Sequence, residues 1–314
     1  MTVKQLSIRH LVGLEGVPAS DIELLLDTAE SFREILERPI KKVPTLTGIT
    51  VVNFFYEPST RTRLSFEMAE KRLSADIINF STTTSSVKKG ETLKDTIRNI
   101  EAMKIDMVVI RHSHAGAADY MTRCTDAVIL NAGDGCHEHP TQGLLDLMTM
   151  RQHTNKPFKG LRVLMVGDMR HSRVIRSDLW GLKTLGASVA VCGPPSLMPA
   201  GVDAFGIDVY DNLDEALEGA DVVNVMRIQL ERQEGGLIPS LREYNRTFGI
   251  TRERLKGTKK DLVIMHPGPI NRGVEIDTDV ADGERSVILR QVTNGVAVRM
   301  ASLVLLAPQR DVHA

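Results

Sequence analysis

The chain is poor in cysteine: Cys124, Cys136 and Cys192 are its only three, they lie far apart, and no Cys-x-x-Cys spacing occurs. That pattern excludes a disulfide framework and a zinc ribbon and fits reduced thiols, and a chain of 314 residues needs neither staple to bury a core. Long apolar runs are also missing. None approaches the length of a bilayer span, and the start, Met1-Thr2-Val3-Lys4-Gln5-Leu6-Ser7, lacks the apolar core of a signal peptide, so no membrane association and a cytoplasmic location are expected. Neither sign of charge dominates: a net charge of -1 argues against a broad nucleic-acid surface, although a local arginine cluster can still serve a small anion. A Walker-type glycine run is absent, so a nucleotide is not implied. With 42% hydrophobic and 25% charged residues the composition is that of an ordered globular enzyme, long enough for two domains.

What the sequence does contain is organised around residues 51–73. The run Val51-Val52-Asn53-Phe54-Phe55 suits a buried strand, and Pro58 cannot continue a central ladder. Ser59 or Thr60 can cap a helix whose apolar positions are Leu64, Phe66, Met68 and Leu73. A strand, turn and helix start of this kind presents unpaired N–H groups and a positive dipole end. Here Ser59, Thr60 and Thr62 add hydroxyls, and Arg61 and Arg63 add guanidiniums, which together match a phosphate's acceptor oxygens. A capped helix with arginines facing water is the plain alternative. Two like charges crowded at a positive helix end favour an anion there.

Further along, Ser20-Asp21 before Ile22, Leu25, Leu26, Ala29 and Phe32 predicts an N-cap and an amphipathic helix. Strands are predicted at 76–80, 106–110 and 127–131, with a helix over 91–103, and Arg111 stands at a strand's C-terminal end, where ligands gather in α/β sheets. The polar stretch 81–90 predicts a loop. Asp134, Cys136, His137, Glu138 and His139 are all metal-ligand types, but adjacent residues point in different directions and no second pair sits at zinc spacing, so no metal is assigned. The competing reading puts His139 and Gln142 on one side of a helix start, where an imidazole and an amide can bind a carbonyl and its amino group. A linker helix over 141–153 leads to a second α/β series. In it Gly167 lacks the Gly-x-Gly-x-x-Gly pattern of a dinucleotide site, and Arg173 and then Arg227 and Gln229 follow successive strands. Either arginine alone reads as a surface charge; the pair suggests a dicarboxylate. The strand 261–265 ends in His266-Pro267-Gly268-Pro269, a turn that fixes exposed backbone carbonyls, and a last helix is predicted over 294–306.

Ser59-Thr60-Arg61-Thr62-Arg63 after a strand resembles the carbamoyl-phosphate motif of the aspartate/ornithine carbamoyltransferase family, and His139-Pro140-Thr141-Gln142 is similar to its second signature at the expected distance. The Cys-Leu-Pro element of the ornithine type is absent, and His266-Pro267-Gly268-Pro269 resembles the aspartate type. The resemblance covers nearly the whole chain, except that 231–251 cannot be aligned by eye. It implies an α/β fold of two doubly wound domains, each a parallel sheet flanked by helices. Residues 1–140 with the helix 292–314 would bind carbamoyl phosphate, and 141–291 would bind L-aspartate. It further implies carbamoyl transfer to aspartate, an early step of de novo pyrimidine biosynthesis, without cofactor or metal. Ser59, Thr60, Arg61 and Thr62 would hold the phosphate; Arg111, His139 and Thr62 would polarise the carbonyl; Gln142 would orient the carbamoyl nitrogen; and Glu57 would orient arginines. Arg173, Arg227 and Gln229 would fix the carboxylates, and the Gly268-Pro269 loop would touch both substrates. Ser85 and Lys89 lie in a loop that the resemblance sends into a neighbour's site, which implies a homotrimer or larger oligomer. Regulatory or dihydroorotase-like partner chains stay open, as do another acceptor such as ornithine and a non-catalytic homologue serving as a structural subunit.

Overall fold

The computed structural model describes residues 5–81, 91–229 and 236–308, and the chain divides into two compact units: Met1–Leu144 with Thr293–Ala314, and Leu145–Val292. Ser85 and Lys89 lie outside the described residues.

The first unit runs α1 (Ala19–Leu36), β1 (Thr50–Phe55), α2 (Thr60–Arg72), β2 (Asp76–Ser81), α3 (Leu93–Glu101), β3 (Met107–His112), α4 (Ala117–Thr122) and β4 (Val128–Asp134). Its described strands form a parallel sheet in the order β2-β1-β3-β4. Side chains alternate across it. Val52, Phe54, Val108, Ile110 and Ile129 pack on one face with Ile97 and Ile100 of α3 and Met121 of α4. On the opposite face Asn53 donates to the carboxyl of Glu70 on α2 at 2.8 Å, so helices cover both sides. Burying a side chain such as Phe54 contributes roughly 2–3 kcal/mol.

Several boundaries differ from the sequence expectation. α1 starts after Pro18, whose φ of -61° already suits a helix entry, and Ser20 is not its cap. The Asp21 carboxylate instead accepts from the N–H and Oγ of Ser7 at 2.8 and 2.7 Å. Ser59 does occupy the N-cap of α2, yet its side chain makes no capping bond. α3 is shorter than 91–103, because Thr92 caps it by accepting from the Asp95 N–H at 3.2 Å. β3 and β4 run on to His112 and Asp134 because their polar ends still pair, His112 opposite Asp134, after a register shift between Ile110 and His112.

The chain passes to the second unit within α5 (Pro140–His153) and returns within α10 (Ile288–Leu306), which begins before the expected 294. Within the first unit, Arg299 of α10 donates to Ser65 Oγ at 2.9 Å and lies over the Phe66 ring at 5.0 Å, tying α10 to α2.

The second unit contains β5 (Arg162–Val166), α6 (Arg173–Thr184), β6 (Ser188–Cys192), β7 (Asp208–Tyr210), α7 (Leu213–Leu217), β8 (Val222–Val225), α8 (Leu241–Phe248), β9 (Val263–Met265) and α9 (Thr278–Ala281). Its described strands form a parallel sheet ordered β7-β6-β5-β8-β9. Leu164, Val166, Val223 and Val225 share one core with Leu213, Leu217, Tyr244 and Phe248. Asn224 points the other way, toward α6. Each unit is therefore a doubly wound sheet whose order reverses at one crevice: β1/β3 in the first, β5/β8 in the second. Among the described residues, no helix is long and apolar enough to cross a membrane.

Candidate active site

In the first unit the turn after β1 and the end of β3 are locked together. Phe55 is level with Arg111 in the sheet, and the Tyr56 N–H donates to the Arg111 carbonyl at 2.8 Å. The Arg111 guanidinium is buried and donates to Glu57 Oε1 at 2.6 Å and to the Ala132 carbonyl of β4 at 3.0 Å. Glu57 and β4 thus set its direction before any ligand arrives. Immediately beyond, Ser59 stands at the N-cap of α2 and Thr60, Arg61 and Thr62 form its first turn, which has no acidic residue. Because the Ser59 hydroxyl does not cap, it does not compete with an anion for the first-turn N–H groups. Arg63 pairs with Glu67 one turn on, at 3.4 Å. His112 is held below the usual histidine range by burial and then by His114, so the positive charge at this edge comes from arginine.

β4 delivers the third part. Asp134 accepts from Asn131 Nδ2 at 2.7 Å, from the Gly116 N–H at 2.7 Å and from the Glu138 N–H at 3.2 Å. Glu138 accepts from the N–H groups of Leu14 and Glu15 at 2.7 and 3.2 Å. These bonds fold the turn 134–139 so that His139 is buried at the start of α5. Its carbonyl accepts from the N–H groups of Gln142 and Gly143 at 2.9 and 3.1 Å, which puts His139 and Gln142 one turn apart on one side. Glu15, His137 and Glu138 bring ligand-type atoms within 4.8 Å of one another, but the Glu138 oxygens serve the main-chain donors just named and His137 Nδ1 sits 3.2 Å from Asp134 Oδ2.

The second unit repeats the plan at its own crevice. Gly167 follows β5 at φ +131°, and a Cβ there would lie 2.7 Å from the Met226 carbonyl, so only glycine lets the two strand ends meet this closely. Asp168 then accepts from the His171 N–H at 3.1 Å and sits 2.9 Å from its Nδ1, closing the turn that places Arg173, buried at 4% exposure, as the first residue of α6. Val166 is level with Val225, so Arg227 and Gln229, half-buried, leave β8 at the same sheet edge. After β9 the buried His266 accepts from the Gly268 N–H through Nδ1 at 2.8 Å, which leaves Nε2 to donate to Glu275 at 3.2 Å. Glu275 also accepts from the Asn271 N–H at 2.6 Å, and Asn271 Nδ2 donates to the Ile228 carbonyl at 3.4 Å, linking the Gly268-Pro269 loop to the segment that carries Arg227 and Gln229.

The structure thus brings Ser59, Thr60, Arg61, Thr62 and Arg111 to one edge of the first sheet, with His139 and Gln142 following β4. Arg173, Arg227, Gln229, Gly268 and Pro269 gather at one edge of the second. The sequence reading missed Glu275 and Asn271, which hold the loop. It also missed the buried set Asp146, Asp178, Asn224 and Gln291; the available signal was an asparagine inside an otherwise apolar strand, at 224 as at 53.

Two family models match in succession. The aspartate/ornithine carbamoyltransferase carbamoyl-phosphate binding domain covers residues 9–152, and the Asp/Orn binding domain of the same family covers 159–306. The chain is 61% identical over 299 residues to the aspartate carbamoyltransferase catalytic subunit of Gemmatimonas aurantiaca, covering 95% of this chain and 93% of that protein. With the protein of the same name from Desulfotalea psychrophila it shares 57% over 301 residues, covering 96% and 94%. Aspartate transcarbamoylase from Trypanosoma cruzi in complex with N-(phosphonacetyl)-L-aspartic acid superposes with a TM-score of 0.85 at 30% identity, covering 95% of this chain and 96% of that one. Ornithine carbamoyltransferase from Pyrococcus furiosus superposes with a TM-score of 0.84 at 27% identity, covering 97% and 99%.

Proposed function

The chain belongs to the aspartate/ornithine carbamoyltransferase family, and from that premise we propose that it is an aspartate carbamoyltransferase. It moves the carbamoyl group of carbamoyl phosphate to the amine of L-aspartate, giving N-carbamoyl-L-aspartate and phosphate, an early step of de novo pyrimidine biosynthesis. The observation that carries the choice of acceptor is the pair Arg173 and Arg227, following the two strands that flank the second unit's crevice. Two guanidiniums suit two carboxylates; the side-chain ammonium of ornithine would meet like charge there.

The first unit takes carbamoyl phosphate. Ser59, Thr60, Arg61 and Thr62 bind the phosphate with hydroxyls, a guanidinium and first-turn N–H groups. Arg111, His139 and Thr62 polarise the carbonyl oxygen, and Gln142 accepts from the carbamoyl NH₂ and fixes its orientation. The neutral amine of aspartate attacks the carbonyl carbon, an oxyanion forms facing Arg111 and His139, and the C–O bond to phosphate breaks. Because Glu57 and the Ala132 carbonyl already hold Arg111, its charge faces the oxyanion without reorganisation during the step. The departing phosphate accepts the amine's proton, so the reaction needs no dedicated carboxylate base. Arg173, Arg227 and Gln229 bind the two carboxylates of aspartate, and Gly268 and Pro269 contribute main-chain groups. Ser85 and Lys89 complete the site from a neighbouring subunit of a homotrimer or larger assembly. The cytoplasmic location this function calls for is supported by three cysteines that are all free thiols.

The test offers purified chain carbamoyl phosphate with either L-aspartate or L-ornithine and follows product mass and phosphate release, with the particle mass measured in parallel. Carbamoylaspartate from an assembly of at least three chains is expected. Carbamoylation of ornithine in preference to aspartate, or of neither, would overturn the assignment.

A further inference from the structure

Four polar side chains from four elements of the second unit meet out of contact with solvent: Asp146 of α5, Asp178 of α6, Asn224 of β8 and Gln291 of α10. Asn224 Nδ2 donates to Asp178 Oδ2 at 2.9 Å and reaches Asp146 Oδ2 at 3.4 Å. Gln291 Nε2 donates to Asp146 Oδ1 at 2.7 Å, and its Oε1 accepts the backbone N–H of His266 at 2.9 Å. The Asp146 and Asp178 carboxyls thus share one donor, Asn224 Nδ2, which brings them side by side. Both are 0% exposed, and two carboxylates gathered on one amide in a dry site cannot both be ionised. β8 and α10 present amides, and β9 leads to His266, whose ring is paired with Glu275. Asp178 Oδ1 meets no donor, whereas Asp146 accepts at both oxygens, so Oδ1 of Asp178 is the atom suited to carry a proton. Burial first, and then Asp146, push the Asp178 carboxyl well above the usual carboxylate range.

We propose that Asp146 and Asp178 share one proton, with Asp178 donating to Asp146, and that this acid pair is a positioning device for the acceptor-binding half of the site. The proton lets α6, β8 and α10 close on one polar set. That set lies where it fixes the start of α6 with Arg173, the exit of β8 toward Arg227 and Gln229, and the backbone of His266 from which the Gly268-Pro269 loop departs. The proposal rests on the aspartate-binding reading of those residues. None of the four touches substrate, so their effect is on acceptor binding.

The experiment compares Asp178→Asn, Asp178→Ala and Gln291→Met with the wild-type assembly. Asparagine at 178 keeps a donor toward Asp146 and an acceptor for Asn224 without needing a proton. Asp178→Asn is therefore expected to hold the aspartate KM within about twofold of wild type, while Asp178→Ala raises it about tenfold or more. Gln291→Met severs the link to His266 without emptying the space and is expected to raise it several-fold. Carbamoyl phosphate KM should move less than about twofold in all three. Infrared difference spectra near neutral pH supply a readout independent of turnover: wild type minus Asp178→Asn should show the C=O stretch of one protonated carboxyl. An unchanged aspartate KM in both Asp178→Ala and Gln291→Met, equal losses for both substrates, or a missing carboxylic-acid band overturns the proposal. Should Asp178→Ala not fold, Gln291→Met and the spectra decide the matter. If the wild-type chain carbamoylates no acceptor, the spectra still test the shared proton, so the two readings fail separately.

Discussion

Each unit places an asparagine in a strand beside its crevice and pairs it with a buried acid on a covering helix, but the two pairs are built differently. In the first, Asn53 of β1 meets Glu70 of α2, a strand and the helix that directly follows it. In the second, Asn224 of β8 meets Asp178 of α6, which follows a different strand, and the set extends to Asp146 and Gln291. The first pair therefore fixes one strand to its own helix. The second joins elements far apart in sequence that carry separate binding groups. In the proposed site the phosphate end uses a contiguous stretch, Ser59 to Thr62, whereas the acceptor end would draw on residues from three connections, and the extended polar set is what such an assembly requires.

The comparison breaks most visibly at the phosphate end. Arg61→Ala should lower carbamoylaspartate formation by about 10³-fold with the fold intact by circular dichroism, since a charged contact in the contiguous motif has no substitute. Near-normal turnover would remove that motif from the site. His139→Ala should reduce kcat by about 10²-fold with a smaller change in KM, measured by steady-state kinetics. A change confined to KM would make His139 a binding group. Arg227→Ala should weaken aspartate and dicarboxylate inhibitors by roughly 10- to 100-fold while phosphate binding, followed calorimetrically, stays put. Matching losses at both ends would erase the division of labour between the units.

The smallest effect belongs to the pair in the first unit. Burial raises the Glu70 carboxyl from 4.5 to about 8, against the opposing bond from Asn53. The native state thus holds a proton that the unfolded chain releases. The stability contributed by the protonated acid is complete below pH 4.5 and is lost as pH rises through about 8. Glu70→Gln should sit within about 1 kcal/mol of wild type in mildly acidic denaturant titrations and become the more stable protein in alkaline ones. A variant with the wild-type pH dependence would show that Glu70 does not carry it.

Much of this was legible in the sequence. The apolar strand 51–55 broken by Glu57-Pro58 and followed by a hydroxyl-rich helix start gave the order strand, turn, helix, because strand propensity and turn chemistry agree there. The spacing of His139 and Gln142 likewise predicts one side of a helix start, and the structure puts them one turn apart at the start of α5. Nothing in the motif reveals that Arg63 pairs with Glu67 one turn later. β7, of three residues, and α7, of five, were too short to show a period. α8 escaped although Ser240 caps it by accepting from the Glu243 N–H at 3.1 Å, because its apolar face is little more than Tyr244 and Phe248. The buried acids stayed hidden because an aspartate in a helix ordinarily faces water. Only the packing of elements distant in the chain reveals that Asp146 and Asp178 do not.

The tie between Arg299 and the Ser65–Phe66 turn of α2 has a consequence for synthesis on the ribosome. The first unit is interrupted by residues 145–292, so α2 emerges early and the helix that seals it emerges last. At translation rates of about 5–20 residues per second, those intervening residues take roughly 7–30 s to appear. Throughout that interval the Phe66 side of the nascent α2 lacks its final cover, and the interrupting unit's own sequence is complete only at the end of it. A pause in translation within that stretch prolongs the exposure of the first unit's uncovered helix and leaves the second unit unfinished as well, whereas a pause before α2 emerges exposes neither.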